Sequence, residues 1–379
     1  MRYCKSAFLT LFVLFAACLP SLASEVKLPE TMVWSCYDVG STGYVQASAV
    51  ANAFLKKYNI RVRLIPSGTS IGRMMPLISK RARVAFLANE AFFSSEGSYD
   101  FATYTWGPQD LRAVVGAPTS FPLITTKTSG IKEVADLKGK KVSWVVGNPS
   151  LNVKMTAMMA FASLTWDDVQ KVEFPSYADS LKALIQGNVD AADGSTTASI
   201  LYELESSSKG VYYPQLDPNN KEGWARLKKY VPFAFPYQET VGAGVNKDEP
   251  LWLLGYRYPI VTVRADEDPE FVSNLIQAIE ETFPLYKNAA SSMPAWEIKL
   301  SGNTPIDVPF HPGAIDYLKK KGLWTEENQA WNDERIDTLQ KLKKLWNESV
   351  AVSKAQKQSE DEFRLIWMKK LDEFNKVSN

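Results

Sequence analysis

The chain has 379 residues, 45% hydrophobic and 22% charged, a globular composition long enough for two ordinary domains. With 43 Lys and Arg against 42 Asp and Glu the formal net charge is +1, so no basic field points to nucleic acid as a partner. A single histidine, His311, excludes a histidine-rich metal site.

The N-terminus reads as a secretory signal peptide over residues 1–23. "MRYCK" is short and basic, "SAFLTLFVLFAACL" is apolar, and Ser21 and Ala23 are small, so the mature chain is expected to begin at Ser24. The apolar run is short for a membrane span. A rival reading is lipoprotein processing at Cys18, in "FAAC". Removing 1–23 takes away Arg2, Lys5, Cys4 and Cys18 and no acid. Cys36 then remains without an intrachain partner, and is expected as a small buried residue of the first strand.

"TMVWSCYDV" reads as a buried strand that feeds the small polar turn Gly40-Ser41-Thr42-Gly43 and then a helix. "IRVRLIP" alternates as a half-buried strand before a second such turn, "PSGTSIGRMMPL", and "RVAFLA" and "LRAVVGAP" are further short strands. This βαβα order predicts a parallel sheet covered by helices. "APTSFPLITTKTSG" reads as a crossing between domains. A new α/β series opens with "DLKGKKVSWVVG", continues with helices at 151–163 and at "DSLKALIQG", stopped by Gly187, and carries a third and a fourth polar turn in "VGNPSLN" and "ADGSTTAS". "YRYPIVTVRA" reads as a return strand, a helix over 269–288 opens at Asp268-Pro269, and "HPGAIDYLKKKGLW" is a short helix that His311 is expected to cap. The expected units are lobe I over 24–118 and 251–325, an inserted lobe II over 119–250, and a helical extension over 326–379. The extension carries two apolar stripes, Ile336, Leu339, Trp346 and Val350, then Phe363, Ile366, Trp367, Leu371 and Phe374, which suit packing on the domain surface or docking a partner. It is expected to be dispensable for capturing a solute.

In an open α/β sheet, ligands bind beyond the carboxyl ends of the strands, where helix N-termini present free N–H groups and a positive dipole end. Four small polar turns in corresponding positions point to a cleft for a small anion or polar solute, although each taken alone is only a cap. Arg73, one turn into the second helix, could pair with a carboxylate and assist the amides as a cation, or be a surface arginine. Glu90 could be a solute contact, a pole of an interlobe bond, or a solvated loop acid. Trp144, Phe235 and Tyr237 lie near these turns as clamps or as core residues. No GxxxxGK[ST], GxGxxG or GxSxG motif is present, and no nucleophile–base pair argues for an enzyme.

"GSTGY", "PSGTSIGRMMPL", "ADLKGKKVS", "SYADSLKALIQGNVDAAD" and "PFHPGAIDYLKKKGLW" stand in an order that resembles the TAXI family of solute-binding proteins, receptor subunits of TRAP transporters. The resemblance runs over about residues 30–325. It implies a type II periplasmic-binding-protein fold and an ion-driven membrane permease as partner; no cofactor is expected. By position it implies solute contacts from Ser41, Thr42, Gly43 and Tyr44, from Ser67, Gly68, Thr69 and Ser70, and from Asn89 or Glu90. Gly147, Ser150, Asn152 and Asp193 would face them from lobe II. The implied solute is a small carboxylate. Two alternatives carry other expectations: the same fold serving an ABC importer or a sensor, and a secreted enzyme on that scaffold.

Overall fold

A computed structural model describes residues 25–378; the signal-peptide reading, with Cys4, Cys18 and the cleavage after Ala23, lies outside the described residues. The first sheet holds the parallel strands β1 (Thr31–Tyr37), β2 (Arg61–Ser67) and β3 (Val84–Leu87), in the order β2-β1-β3. Each is followed by a helix: α1 (Thr42–Tyr58), α2 (Ser70–Ile78) and α3 (Glu90–Glu96). Trp34, on β1, is fully buried between Phe54 and Phe86, at centroid distances of 5.4 and 5.1 Å. Cys36 is buried on the same strand, and burial pushes its thiol up to about 12.

β4 (Leu111–Ser120) carries the chain out of this sheet. The second unit contains β5 (Leu123–Thr126), β6 (Lys141–Val145), α4 (Pro149–Phe161), β7 (Gln170–Phe174), α5 (Tyr177–Gln186), β8 (Ala192–Asp193), α6 (Ser199–Ser206), β9 (Val211–Tyr212) and α7 (Lys221–Lys228). β6 and β7 are parallel, a bridge between Val142 and Ala191 joins β6 to the approach to β8, and β5 pairs antiparallel with β8 and β9. Each of the four polar turns read from the sequence sits between a strand and a helix, before α1, α2, α4 and α6. Gly187 ends α5 in the left-handed region at φ 86°.

β10 (Phe235–Glu239) and β11 (Leu251–Arg264) return to the first sheet, followed by α8 (Pro269–Tyr286), α9 (Ile298–Ser301) and α10 (Pro312–Lys320). The first sheet is mixed, where the βαβα order had suggested a parallel one. β11 runs antiparallel to β3 on one edge and to β4 on the other, because it follows its antiparallel neighbour β10 through the loop 240–250 rather than through a crossover helix. Phe121-Pro122 and residues 229–234 link the two units, and the loop 240–250 touches the second one again through Ala243 N–H donating to Thr196 O at 2.9 Å.

α11 (Glu326–Ala355) and α12 (Glu360–Ser378) pair into a hairpin with its own small core of Leu342, Trp346, Phe363, Trp367 and Leu371 around Ala102. Of the residues in the expected stripes, Trp346, Phe363, Trp367 and Leu371 are buried there, whereas Ile366 is exposed. The Trp367 indole N–H donates to Gly97 O at 2.8 Å, and the Arg335 guanidinium pairs with the buried Glu96 at 2.8 Å. The hairpin is thereby tied into the first unit just past the end of α3.

Candidate functional site

The helix starts of the first unit use the caps their sequence offers. Ser41 Oγ accepts from Tyr44 N–H at 3.1 Å, and Thr69 Oγ1 from Gly72 N–H at 3.1 Å. The second unit closes directly onto these turns. Asn148 Nδ2 donates to Gly68 O at 3.0 Å, Ser70 Oγ to Asn148 Oδ1 at 2.8 Å, and Ile71 N–H to Gly147 O at 3.3 Å. Further along, Ala178 N–H donates to Asp38 Oδ2 at 3.2 Å, the Thr42 and Thr197 hydroxyls meet at 3.0 Å, and Ser199 N–H reaches Gly40 O at 3.1 Å.

Behind that seam lies a cavity of about 10 Å³, enough for one water, lined by Tyr37, Thr42, Phe121, Leu151, Tyr177, Ser195, Tyr256 and Tyr258. Tyr37 meets Tyr177 and Tyr258 edge-on, at 5.8 and 5.5 Å, and Tyr256 stacks on Tyr258 at 5.6 Å. Burial raises the pKa of all four phenols, so they stay neutral hydrogen-bonding groups. Thr42 and Tyr177 open α1 and α5, and Leu151 lies in the first turn of α4, so three helix N-termini from both sides of the cleft end at the cavity.

Charged side chains form a buried layer around it. The Arg73 guanidinium lies 3.2 Å over the Tyr37 ring, and its nitrogens donate to Glu90 Oε1 at 2.7 Å, Ser67 O at 3.1 Å and Ser70 Oγ at 3.3 Å. Asn89 accepts from Lys154 Nζ at 2.7 Å and donates to Asp307 Oδ2 at 2.9 Å. The Lys154 ammonium sits 3.8 Å from the centre of the Phe121 ring and 4.2 Å from that of Tyr256. Burial drives the Lys154 pKa down to about 7, and burial drives Asp193 up to about 8 and Asp307 up to about 7. Among the described residues, Glu90 Oε2, Asp193 Oδ2 and Asp307 Oδ1 have no hydrogen-bond partner.

The residues singled out in the sequence therefore fall into different places. Ser41 and Thr69 spend their hydroxyl oxygens on helix starts. Thr42 lines the cavity; Gly43 N–H donates to the Tyr258 hydroxyl at 3.1 Å, and a Cβ there would run into that hydroxyl, so its close approach is to Tyr258. Tyr44 is half-buried on α1, and Ser67 Oγ lies 3.4 Å from Thr69 N–H. Gly68, Ser70 and Gly147 join the two units, and Ser150 Oγ accepts from Lys154 at 3.4 Å. Asn152 turns its amide back on Val145, donating to its carbonyl at 2.8 Å and accepting from its N–H at 2.9 Å. Glu90 is fully buried rather than a solvated loop acid. Trp144 packs edge-on against Trp166 at 5.0 Å, and Phe235 and Tyr237 pack edge-on against each other on β10 at 6.2 Å. His311 caps α10 as expected, its Nδ1 accepting from Gly313 N–H at 3.2 Å and its Nε2 at 3.1 Å from Glu267 O.

Lys154, Tyr37, Phe121, Tyr177, Tyr256, Tyr258 and Asp307 escaped the sequence reading. A signal was present for three of them: Lys154 is the one charge in the apolar helix "PSLNVKMTAMMAF", and Tyr256 and Tyr258 alternate at strand spacing. Among the described residues there is no cluster of His, Cys, Asp and Glu able to hold a metal, and no helix long and apolar enough to cross a membrane.

The chain is similar to several known proteins. A family model described as NMT1-like family matches residues 38–322. A putative aliphatic sulfonates-binding protein of Escherichia coli K12 is 40% identical over 77 residues, which is 20% of this chain and 23% of that protein, so the match spans under a quarter of the relative's length. Among solved structures, the alkanesulfonate-binding protein of Xanthomonas axonopodis pv. citri bound to MOPS aligns over 80% of this chain and 94% of its own, at 15% identity and a TM-score of 0.41. A periplasmic binding protein from Brucella ovis with glutathione bound aligns over 66% and 67%, at 10% identity and a TM-score of 0.44.

Proposed function

The chain belongs to the NMT1-like family, and we propose that it is an extracytoplasmic solute receptor that captures a small organic anion between two lobes and passes it to a membrane importer. One observation carries the reading: the N-termini of α1, α4 and α5 converge from both sides of the cleft on one tyrosine-lined cavity, with the Lys154 ammonium against two of its rings. Backbone dipoles and an ammonium favour an anion; the aromatic walls favour an apolar body attached to it. The export signal read at residues 1–23 supports a place outside the cytoplasm.

For the head group, the name of the curated relative supports a sulfonate, and the TAXI resemblance supports a carboxylate. We place an ABC-type importer first as the partner, on the name of the curated sulfonates-binding relative. The motif order ending in "HPGA" is what supports a TRAP permease as the second reading.

The test is a thermal-shift screen of sulfonates and carboxylates, joined to mass spectrometry of solutes that co-purify. A ligand of the closed form adds RT ln(1 + [L]/Kd), roughly 2.7 kcal/mol at a hundredfold excess. At least one anion should stabilise the protein and be recovered unchanged. A solute recovered chemically altered, with the protein unchanged, would mean turnover and would end the receptor reading.

A further inference from the structure

We propose that Lys154 reads the charge of the captured solute: its ammonium binds the oxyanion head group, sulfonate or carboxylate, and through Asn89 ties that capture to closure of the cleft. The proposal rests on the receptor reading above.

Lys154 is fully buried, and among the described residues it has no ion-pair partner. A buried ammonium is normally paired or neutralised. Here it meets two uncharged oxygens, Asn89 Oδ1 at 2.7 Å and Ser150 Oγ at 3.4 Å, and two ring faces. An ammonium has three N–H donors, so one remains. Both rings belong to the cavity wall, and so does Leu151, three residues earlier on the same helix face. The cavity has room for one water, so an oxyanion would enter only as the cleft opens, and beside the ammonium it would add a directly bonded counter-charge to the more distant carboxylates. Asn89 lies on the first unit and Lys154 on the second, so the ammonium and the seam are held by one side chain.

The charged groups around Lys154 are Asp193 on β8, Glu90 at the start of α3, Asp307 in the segment before α10, and Arg73 on α2. Glu90 is already paired with Arg73. Lys154, Asp193 and Asp307 all titrate near neutrality, and each loses a proton in the direction that repels an anion. Anion binding should therefore take up a proton, and anion affinity should fall as the pH rises from about 6 to about 8.

The experiment is titration calorimetry of the full chain with ethanesulfonate and propionate, and with their uncharged counterparts ethyl methyl sulfone and propionamide. It is run at about pH 6 and about pH 8, in two buffers of different ionisation enthalpy. In the wild type we expect anions to be preferred and a proton to be taken up at the higher pH; whichever of the two anions binds more tightly identifies the head group. Lys154→Met should lose roughly tenfold or more in anion affinity, while its melting temperature without solute rises or holds, because an unpaired buried charge is gone. A lysine with only a structural role would instead lower the melting temperature. Lys154→Arg should keep the preference for anions. Lys154→Gln serves as a second neutral variant if Lys154→Met fails to fold, and proton uptake that persists undiminished in either variant assigns it to Asp193 and Asp307 and overturns the role of Lys154. Equal anion affinity in the wild type and Lys154→Met, no proton uptake, or a preference for the uncharged solutes overturns the assignment and leaves the receptor reading standing. Absence of binding by every solute removes both.

Discussion

The Asn148 side chain holds the Gly68 turn from across the cleft: its amide nitrogen donates to Gly68 O at 3.0 Å, while its amide oxygen accepts from Ser70 at 2.8 Å. The two backbones come so close there that a Cβ on Gly68 would lie 2.7 Å from Ser176 Cβ and 2.8 Å from Asp38 Oδ2. Gly68→Val should therefore hold the cleft open without unfolding either half. Small-angle scattering with a bound anion should show no compaction, and affinity should fall roughly tenfold or more, about 1.4 kcal/mol. Wild-type affinity in a folded Gly68→Val protein would show that this seam does not govern capture.

Arg73 and Glu90 form an ion pair in which neither side chain reaches solvent. Removing the cation alone leaves a buried carboxylate, so Arg73→Ala should cost about 3–5 kcal/mol in urea unfolding. Replacing both, as Arg73→Met with Glu90→Leu, should recover most of that loss. If the double variant is as unstable as the single one, the pair contributes through the Tyr37 stacking and the Ser67 and Ser70 bonds instead.

Asp193 makes a pH prediction with a definite sign. Its carboxyl is raised in the folded protein from 3.8 to about 8, so its contribution is full at low pH and is lost as the pH climbs toward the folded value. Asp307, raised to about 7, acts in the same sense, and Lys154 adds nothing below about 7 because it is protonated folded and unfolded alike. Asp193→Asn should flatten the decline in stability between about pH 4 and pH 7, by up to one proton in the slope. Parallel wild-type and variant curves would place Asp193 outside this linkage.

The C-terminal hairpin offers a fourth test. Trp367 is fully buried and hydrogen-bonded to Gly97 O, and Gly107, at φ +60°, lies with its Cβ position 2.8 Å from the Trp346 ring. Trp367→Ala should cost about 3–5 kcal/mol of hairpin stability. Hydrogen exchange should then rise in α11, α12 and residues 97–107 while β1 and β3 stay protected. Loss of protection through the whole first sheet would mean that the hairpin and that sheet unfold as one unit.

How much of this could be read from the chain alone differs by residue. The strand–turn–helix series, the cap at His311 and the stop at Gly187 were legible, because each depends on neighbours within a few residues, whereas Ser41 and Thr69, expected as solute contacts, serve as caps. The buried stripes of the hairpin were legible for the same reason, since Trp346, Phe363, Trp367 and Leu371 stand at helical spacing.

What no local pattern contained was the partner across the cleft. Whether Glu90 is solvated or meets Arg73, whether Asn152 faces a solute or Val145, and where the return strand inserts all turn on residues far apart in the chain. The cavity is the clearest case, since Tyr37, Phe121, Tyr177 and Tyr258 come from both sides of the hinge and from distant strands and helices. Lys154 was visible as a charge in an apolar helix, but a charge's meaning depends on the polarity of its surroundings. Only folding, by removing water from that ammonium and setting it against Asn89 and two aromatic rings, makes it a group that a bound anion would stabilise.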